Sequence, residues 1–196
     1  MTVVLTRSDV RELLDMDTCI EAVEAAFRLH AAGATFGPGV LGTHALRGGF
    51  HIKAAGLAGP PAFYAAKINA NFPGNRDLWD LPTIQGVVVL FDAGKGIPLA
   101  VMDSIELTAL RTAAASAIAA KHLSRADSKV LSIIGCGVQA RSHVIALTAV
   151  RSFTRVLVQD THFARAEAFA RELSGAAKLP IEPVRDAAAA AAASDV

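Results

Sequence analysis

Residues Lys129 to Arg141, K-V-L-S-I-I-G-C-G-V-Q-A-R, restrict the possible folds more than any other stretch, because an apolar run leads into paired glycines and then a helix-forming segment. Val130, Leu131, Ile133 and Ile134 read as a strand covered on both faces, as in a parallel sheet. Gly135 permits a tight turn, and Gly137 lets the backbone approach a pyrophosphate without a Cβ in the way. Amides of a helix starting near Val138 and Gln139 would point at the phosphates, with the helix dipole assisting. Ala140 takes the third small position, so the pattern is G-x-G-x-x-A and predicts a dinucleotide site. Taken alone, such glycine pairs occur in many turns. The next apolar run, Arg155 to Val158, ends in Gln159-Asp160, which puts an acid about twenty residues past the turn, where a ribose 2′-OH would be read. Thr161 and His162 follow, with no Arg at that point to receive a 2′-phosphate, so the expected cofactor is NAD rather than NADP. Asp160 has a second reading, as the N-cap of a helix over Phe163 to Leu173.

From this turn onward strands and helices alternate: 129–134, 138–150, 154–159, 162–173, 181–184 and 185–193. The alternation predicts a doubly wound parallel sheet. Ser194-Asp195-Val196 reads as the lead-in to a further strand beside the first, and the sheet is expected to be partial, as in a truncated version of a longer chain. Upstream, Ser8 to Leu14 and Asp17 to Ala32 read as helices. Val40 to Leu46, Phe50 to Leu57, Phe63 to Asn69, Gly86 to Phe91 and Pro98 to Met102 read as strands of a mostly antiparallel sheet. Asn71 to Pro82 is the longest expected loop. Asp103 or Ser104 caps a helix over Ile105 to Leu123, rich in alanine. The fold class is therefore α/β: an α+β domain over 1–125, then the first half of a Rossmann domain over 126–196.

The formal net charge of the 196 residues is +1, and no run of Lys or Arg marks a basic face. Nucleic acid is not an expected partner. No apolar stretch reads as a membrane span or a signal peptide, so the expected location is cytoplasmic and the expected partner a small molecule. Cys19 and Cys136 are too few for a disulfide framework or a metal site, and Cys136 has no adjacent base to make it a nucleophile. No metal is expected: His44 and His51 lie on predicted strands without a further ligand at metal-site spacing.

A bound nicotinamide handles hydride, so the protein must supply groups that hold a carboxylate and move a proton. Lys67, on the apolar strand Phe63 to Asn69, either snorkels at a strand edge or faces a pocket. Lys53 alternates with apolar neighbours and can face the same cavity. Arg111 either reaches over a cleft from its alanine-rich helix or pairs with Glu106 or Asp103. The hydroxyl of Thr83 either touches ligand or closes the turn after the long loop.

The stretch A-A-K-I-N-A-N-F-P-G-N, followed by L-P-T-I-Q-G-V-V-V-L-F-D, P-L-A-V-M-D-S, L-T-A-L-R-T-A-A-A-S-A and I-I-G-C-G-V-Q-A, resembles the ornithine cyclodeaminase and mu-crystallin family. The resemblance runs from about Phe63 to Ala140. It implies a substrate and dimerisation domain followed by a Rossmann domain, assembled as a homodimer. The implied activity is NAD-dependent hydride transfer at the α-carbon of a small amino or imino acid, as in ornithine cyclodeaminase. Ketimine or pyrroline-carboxylate reductase, alanine dehydrogenase and a non-catalytic crystallin-like dinucleotide binder are the alternatives within the family. Lys67 looks like the family's active-site lysine and Arg111 like its carboxylate-gripping arginine, which also meets the cofactor. Thr83, Thr112 and the Gly135 to Gln139 turn look like cofactor contacts. An arginine typical of the family near Pro38 to Val40 is replaced by Gly39 and Val40, so Lys53 is the expected substitute for binding the substrate carboxylate. The family's catalytic aspartate is expected beyond Val196.

Overall fold

The computed structural model describes residues 1–177 and 179–196. They fall into two compact units, Met1–Asp15 with Glu24–Thr108, and Met16–Val23 with Ala109–Val196. A division near residue 126 would assign the alanine-rich helix to the first unit. The stretch from Ala109 onward instead belongs with the second, where Ala113, Ala114 and Ala117 are fully buried.

The first unit is built on a six-stranded sheet of order β1-β6-β5-β4-β3-β2, formed by β1 (Val3–Leu5), β2 (Thr35–Ala45), β3 (Gly48–Leu57), β4 (Phe63–Asn71), β5 (Ile84–Asp92) and β6 (Ile97–Asp103). All neighbours from β2 to β6 are antiparallel, and β1 joins β6 in parallel. Strand β1 escapes the sequence reading because three residues carry too little periodicity. Strand β2 begins earlier than expected: Gly37, Pro38 and Gly39 look like breakers, but a shift of register between Phe36 and Gly39 absorbs them as a bulge. The expected loop over Asn71 to Pro82 holds a short helix, α3 (Asn75–Trp79), which stops where Asp80 turns left-handed at φ 53°.

Helix α1 (Arg7–Leu13) starts at a capping box, in which Thr6 Oγ1 accepts from the Asp9 amide and the Asp9 carboxylate accepts from the Thr6 amide at 2.8 Å. Helix α2 (Met16–Ala31) runs from residues of the second unit into residues of the first, as does α4 (Ile105–Leu123) in the opposite order.

The second unit carries a parallel sheet of order β7-β8-β9, from β7 (Val130–Ile134), β8 (Arg155–Gln159) and β9 (Ile181–Pro183). Helices α5 (Val138–Val150), α6 (Phe163–Ala177) and α7 (Ala187–Ala192) alternate with the strands as the pattern predicts. Leu131, Val144, Val156, Val158 and Leu173 form the centre of its core, each at most 1% exposed. Helix α4 ends under Arg151, whose guanidinium donates to the carbonyls of Lys121 and Ser124 and so satisfies helix-end acceptors that have no partner within α4.

Ser194 to Val196 lies along β7, with Asp195 N–H donating to Val130 O at 2.8 Å and Ser132 N–H to Val196 O at 2.9 Å. The Asp195 carboxylate accepts from the amides of Lys129 and Val130 and from Arg125. The two amides, then Arg125, hold its pKa below the ordinary value near 3.8. A carboxyl whose pKa is lower folded than unfolded stabilises the fold above the unfolded value, and that contribution fades as the pH falls through the folded one. Wild-type Tm is therefore expected to fall more steeply below pH 4 than that of Asp195→Asn. Parallel Tm profiles of the two in acid would refute the assignment.

Candidate functional site

At the end of β7 the chain turns through Gly135, whose φ of +96° is one that L side chains rarely adopt. Its N–H donates to Gln159 O at 2.7 Å, tying the turn to the end of β8. Gly137 is the N-cap of α5, in ordinary extended conformation at φ −87° and ψ −168°, without a side chain to cap the first amides. A Cβ added there meets nothing within 4 Å. Packing within the chain therefore gives no reason for glycine at 137. The space over the turn is open, and the amide-bearing end of a thirteen-residue helix lies behind it. These features fit the pyrophosphate of a dinucleotide.

Asp160 braces this turn from the next strand. Its Oδ2 accepts from the Cys136 amide at 3.0 Å, and its Oδ1 accepts from the His162 amide at 2.9 Å. Those amides, Cys136 first, keep the carboxyl below the usual aspartate range, with Arg165 adding an attractive charge. Asp160 thus orders the chain ahead of α6 and ties it to the glycine turn. Cys136, half-buried between the glycines, points its Sγ at Gln159 O, and burial followed by the charge of Asp160 pushes its thiol pKa up. Such a thiol stays protonated and is a poor nucleophile.

Arg111 and Thr112 lie on α4. The alternative of an ion pair between Arg111 and Glu106 does not hold: Glu106 is taken by Arg7 and Arg11, each at 2.7 Å, and Asp103 accepts the Ile105 amide. Arg111 is exposed. One link went unnoticed in the sequence. His143 Nδ1 contacts Gln139 O at 2.8 Å and its Nε2 contacts Ser116 Oγ at 3.1 Å, joining α4 to the first turn of α5. Helical spacing from Gln139 to His143 is the only signal the sequence carries for it.

In the first unit, Lys53 and Lys67 are direct cross-strand partners on β3 and β4. Both line a cavity of about 300 Å³, together with Pro38, Gly39 and Val40. Lys67 is half-buried and lines this cavity. Thr83 is not with them. It lines a separate cavity of about 460 Å³ with Asn75, Trp79 and Gln85, over which Arg47 lies 6.0 Å from the Trp79 ring centroid. Asn75, Trp79 and Arg47 carried no distinguishing sequence signal, because only the folding of the expected loop into α3 collects them.

A mixed sheet bearing paired lysines, and a Rossmann-type unit bearing an open glycine turn, define an α/β chain of the dinucleotide-fold class. The chain belongs to the ornithine cyclodeaminase/mu-crystallin family, whose model matches residues 1–196. It is 38% identical to the alanine dehydrogenase of Archaeoglobus fulgidus over 168 residues, covering 86% of this chain and 51% of that protein. Among solved structures it is similar to the Thermococcus litoralis Δ(1)-pyrroline-2-carboxylate reductase in complex with NADH and L-proline. That match has a TM-score of 0.91 and 34% identity, and covers 99% of this chain and 60% of the other. An archaeal alanine dehydrogenase dimer with bound NAD gives a TM-score of 0.89 and 35% identity over 96% of this chain and 57% of that one. The chain thus spans between half and three-fifths of the length of these relatives.

Proposed function

We infer that the protein carrying this chain is an NAD-dependent enzyme of small amino or imino acids, acting by hydride transfer at the α-carbon in the manner of the cyclodeaminases, dehydrogenases and imine reductases of its family. The observation that carries this reading is the pairing of Lys67 with Lys53 in one cavity, in a chain whose glycine turn is open above Gly137. Bound NAD supplies the hydride acceptor, or NADH the donor. The chain's own groups do the rest. Lys67 and Arg111 hold the substrate carboxylate, with Lys53 assisting where the family arginine is replaced by Gly39 and Val40. Lys67 is the group assigned to the reaction centre. Gly135, Gly137, Val138 and Gln139 receive the pyrophosphate, Asp160 reads the ribose, and Thr83, Thr112 and Arg111 make further cofactor contacts. In this reading the unit with the six-stranded sheet serves substrate binding and dimerisation, and the unit with the glycine turn serves the dinucleotide.

Asp160 underlies the preference for NAD over NADP, because a carboxylate held ionised repels a 2′-phosphate. NADH is expected to bind at least tenfold more tightly than NADPH, and equal affinity in fluorescence titration would refute that preference. The partner is a second copy of this chain. Leu41, Ile52, Ile68 and Val87 form one cross-strand row on the sheet face opposite Lys67, and Leu41, Ile68 and Val87 are 62%, 41% and 41% exposed. An apolar row of this kind suits an interface between copies, and a monomer by sedimentation would overturn the assignment. Among the described residues no helix is long and apolar enough to cross a membrane, in keeping with a cytoplasmic location. The decisive assay offers the intact protein L-ornithine or L-alanine with NAD+, and cyclic imines with NADH. Turnover of at least one is expected. Cofactor binding without turnover of any amino or imino acid would replace the enzyme reading with a crystallin-like one.

A further inference from the structure

The sheet face that bears Lys67 continues into a second, differently lined hollow. Along β3 and β4 the register pairs Lys53 with Lys67 and, one step along the same face, His51 with Asn69. Strand β2 sets Gly42 opposite His51 and His44 opposite Gly49. Because side chains alternate between faces, Lys53, Lys67, His51, Asn69 and His44 all project to one side. The lysines line the cavity of about 300 Å³, while His44, Arg47, His51 and Asn71 line another of about 470 Å³. Residues two apart on a strand are separated by about 7 Å. That is the reach of a short carbon chain with a hydrogen-bonding group at each end.

A Cβ at Gly42 would make only an ordinary contact, 3.6 Å, with His51 Nδ1, and glycine leaves that space unfilled. Asn69, whose Oδ1 accepts from the hydroxyl of the fully buried Ser104 at 2.8 Å, lies on the same sheet face but lines neither cavity. The residues lining the two cavities include two lysines, an arginine and two histidines, and no Asp or Glu. The lysine row presents ammonium groups to the first cavity, which suit a carboxylate. The second cavity then offers cationic and N–H donors with no acidic side chain in its lining.

We propose that the Lys53 and Lys67 cavity and the His44, Arg47 and His51 cavity are the two ends of one subsite for an amino or imino dicarboxylate. The α-carboxylate sits on the lysine row and the distal carboxylate at His51 and Arg47. This rests on the reading of the protein as an enzyme acting at the α-carbon. In the oxidative direction the α-C–H bond of the amino dicarboxylate breaks, its hydride reduces NAD+ to NADH, and the nitrogen loses a proton to give the imine. Water then converts the imine to the 2-oxo acid and ammonia.

Two measurements on the intact protein separate the inference from the reading beneath it. Calorimetric titration with succinate and with butyrate, non-reacting acids of equal length, should show succinate at least tenfold tighter, with the difference lost in His51→Gln and Arg47→Ala. Equal affinity for the two acids, or an unchanged ratio in both variants, overturns the dicarboxylate subsite whether or not the protein turns over any amino acid. With NAD+, kcat/KM for L-aspartate or L-glutamate should exceed that for L-alanine at least tenfold, and the ratio should fall in the same variants. A higher value for L-alanine also overturns the subsite. Failure of every amino and imino acid to react overturns the catalytic reading alone, and the succinate titration then decides the subsite.

Discussion

Lys67→Ala is expected to lower kcat/KM of the intact protein by about 10²- to 10³-fold, the size of effect seen when a preorganised donor is removed from a developing transition state. The residue sits in the middle of β4, paired on one side with Lys53 and on the other with the buried Val88. Its backbone hydrogen bonds belong to the ladder and survive truncation. Two of its near neighbours, Ala65 and Ala66, already carry the side chain that the variant would have. The loss should therefore appear in turnover while Tm moves little. Lys67→Arg keeps the charge but replaces the compact ammonium with a planar guanidinium. It should recover substrate binding in KM without recovering kcat. Retention of kcat/KM within threefold in Lys67→Ala would sink the catalytic assignment.

Gly137→Asp is expected to raise the dissociation constant for NADH at least a hundredfold while leaving Tm equal or higher. The two effects have opposite signs for one reason. Gly137 caps α5 with no side chain, its φ and ψ suit any residue, and a Cβ there touches nothing. Aspartate is among the best N-caps and complements the helix dipole, so the fold gains. The same carboxylate occupies the space assigned to a pyrophosphate and repels it. Gly135→Ala behaves differently, since φ +96° strains any L side chain and Tm falls with it. Undiminished NADH affinity in Gly137→Asp, measured by fluorescence titration, would exclude the turn as the phosphate site.

Much of the second unit was legible because its signals are local. An apolar strand, a glycine at positive φ and a helix following at once are all encoded within a dozen residues, and the parallel sheet follows from alternation; the expected cover on both faces of that strand is not found, since only Leu131 of it is buried and Ile134 is 54% exposed. The first unit was legible in its strands but not at their ends. The bulge that carries β2 through Gly37, Pro38 and Gly39 depends on pairing with β3, as the parallel seat of β1 depends on β6. The helix Asn75–Trp79 looked like loop because five residues between Gly74 and Pro82 have no periodicity to read.

Side-chain partnerships divide along the same line. That Lys53 and Lys67 alternate with apolar neighbours is visible in the chain, but their standing face to face is a matter of strand register, set by antiparallel pairing across the β3–β4 connection. Arg111 stood between a salt bridge and an open position, and the question was decided by Arg7 and Arg11, about a hundred residues away, which occupy Glu106. The sequence by itself determined the class of fold and the dinucleotide turn, because backbone conformation and hydrophobic period act over short range. Only the tertiary structure decided which cations share a cavity, that Thr83 lines a different one from Lys67, and that His44, His51 and Arg47 converge. Those depend on register and on long-range charge pairing, which no local pattern contains.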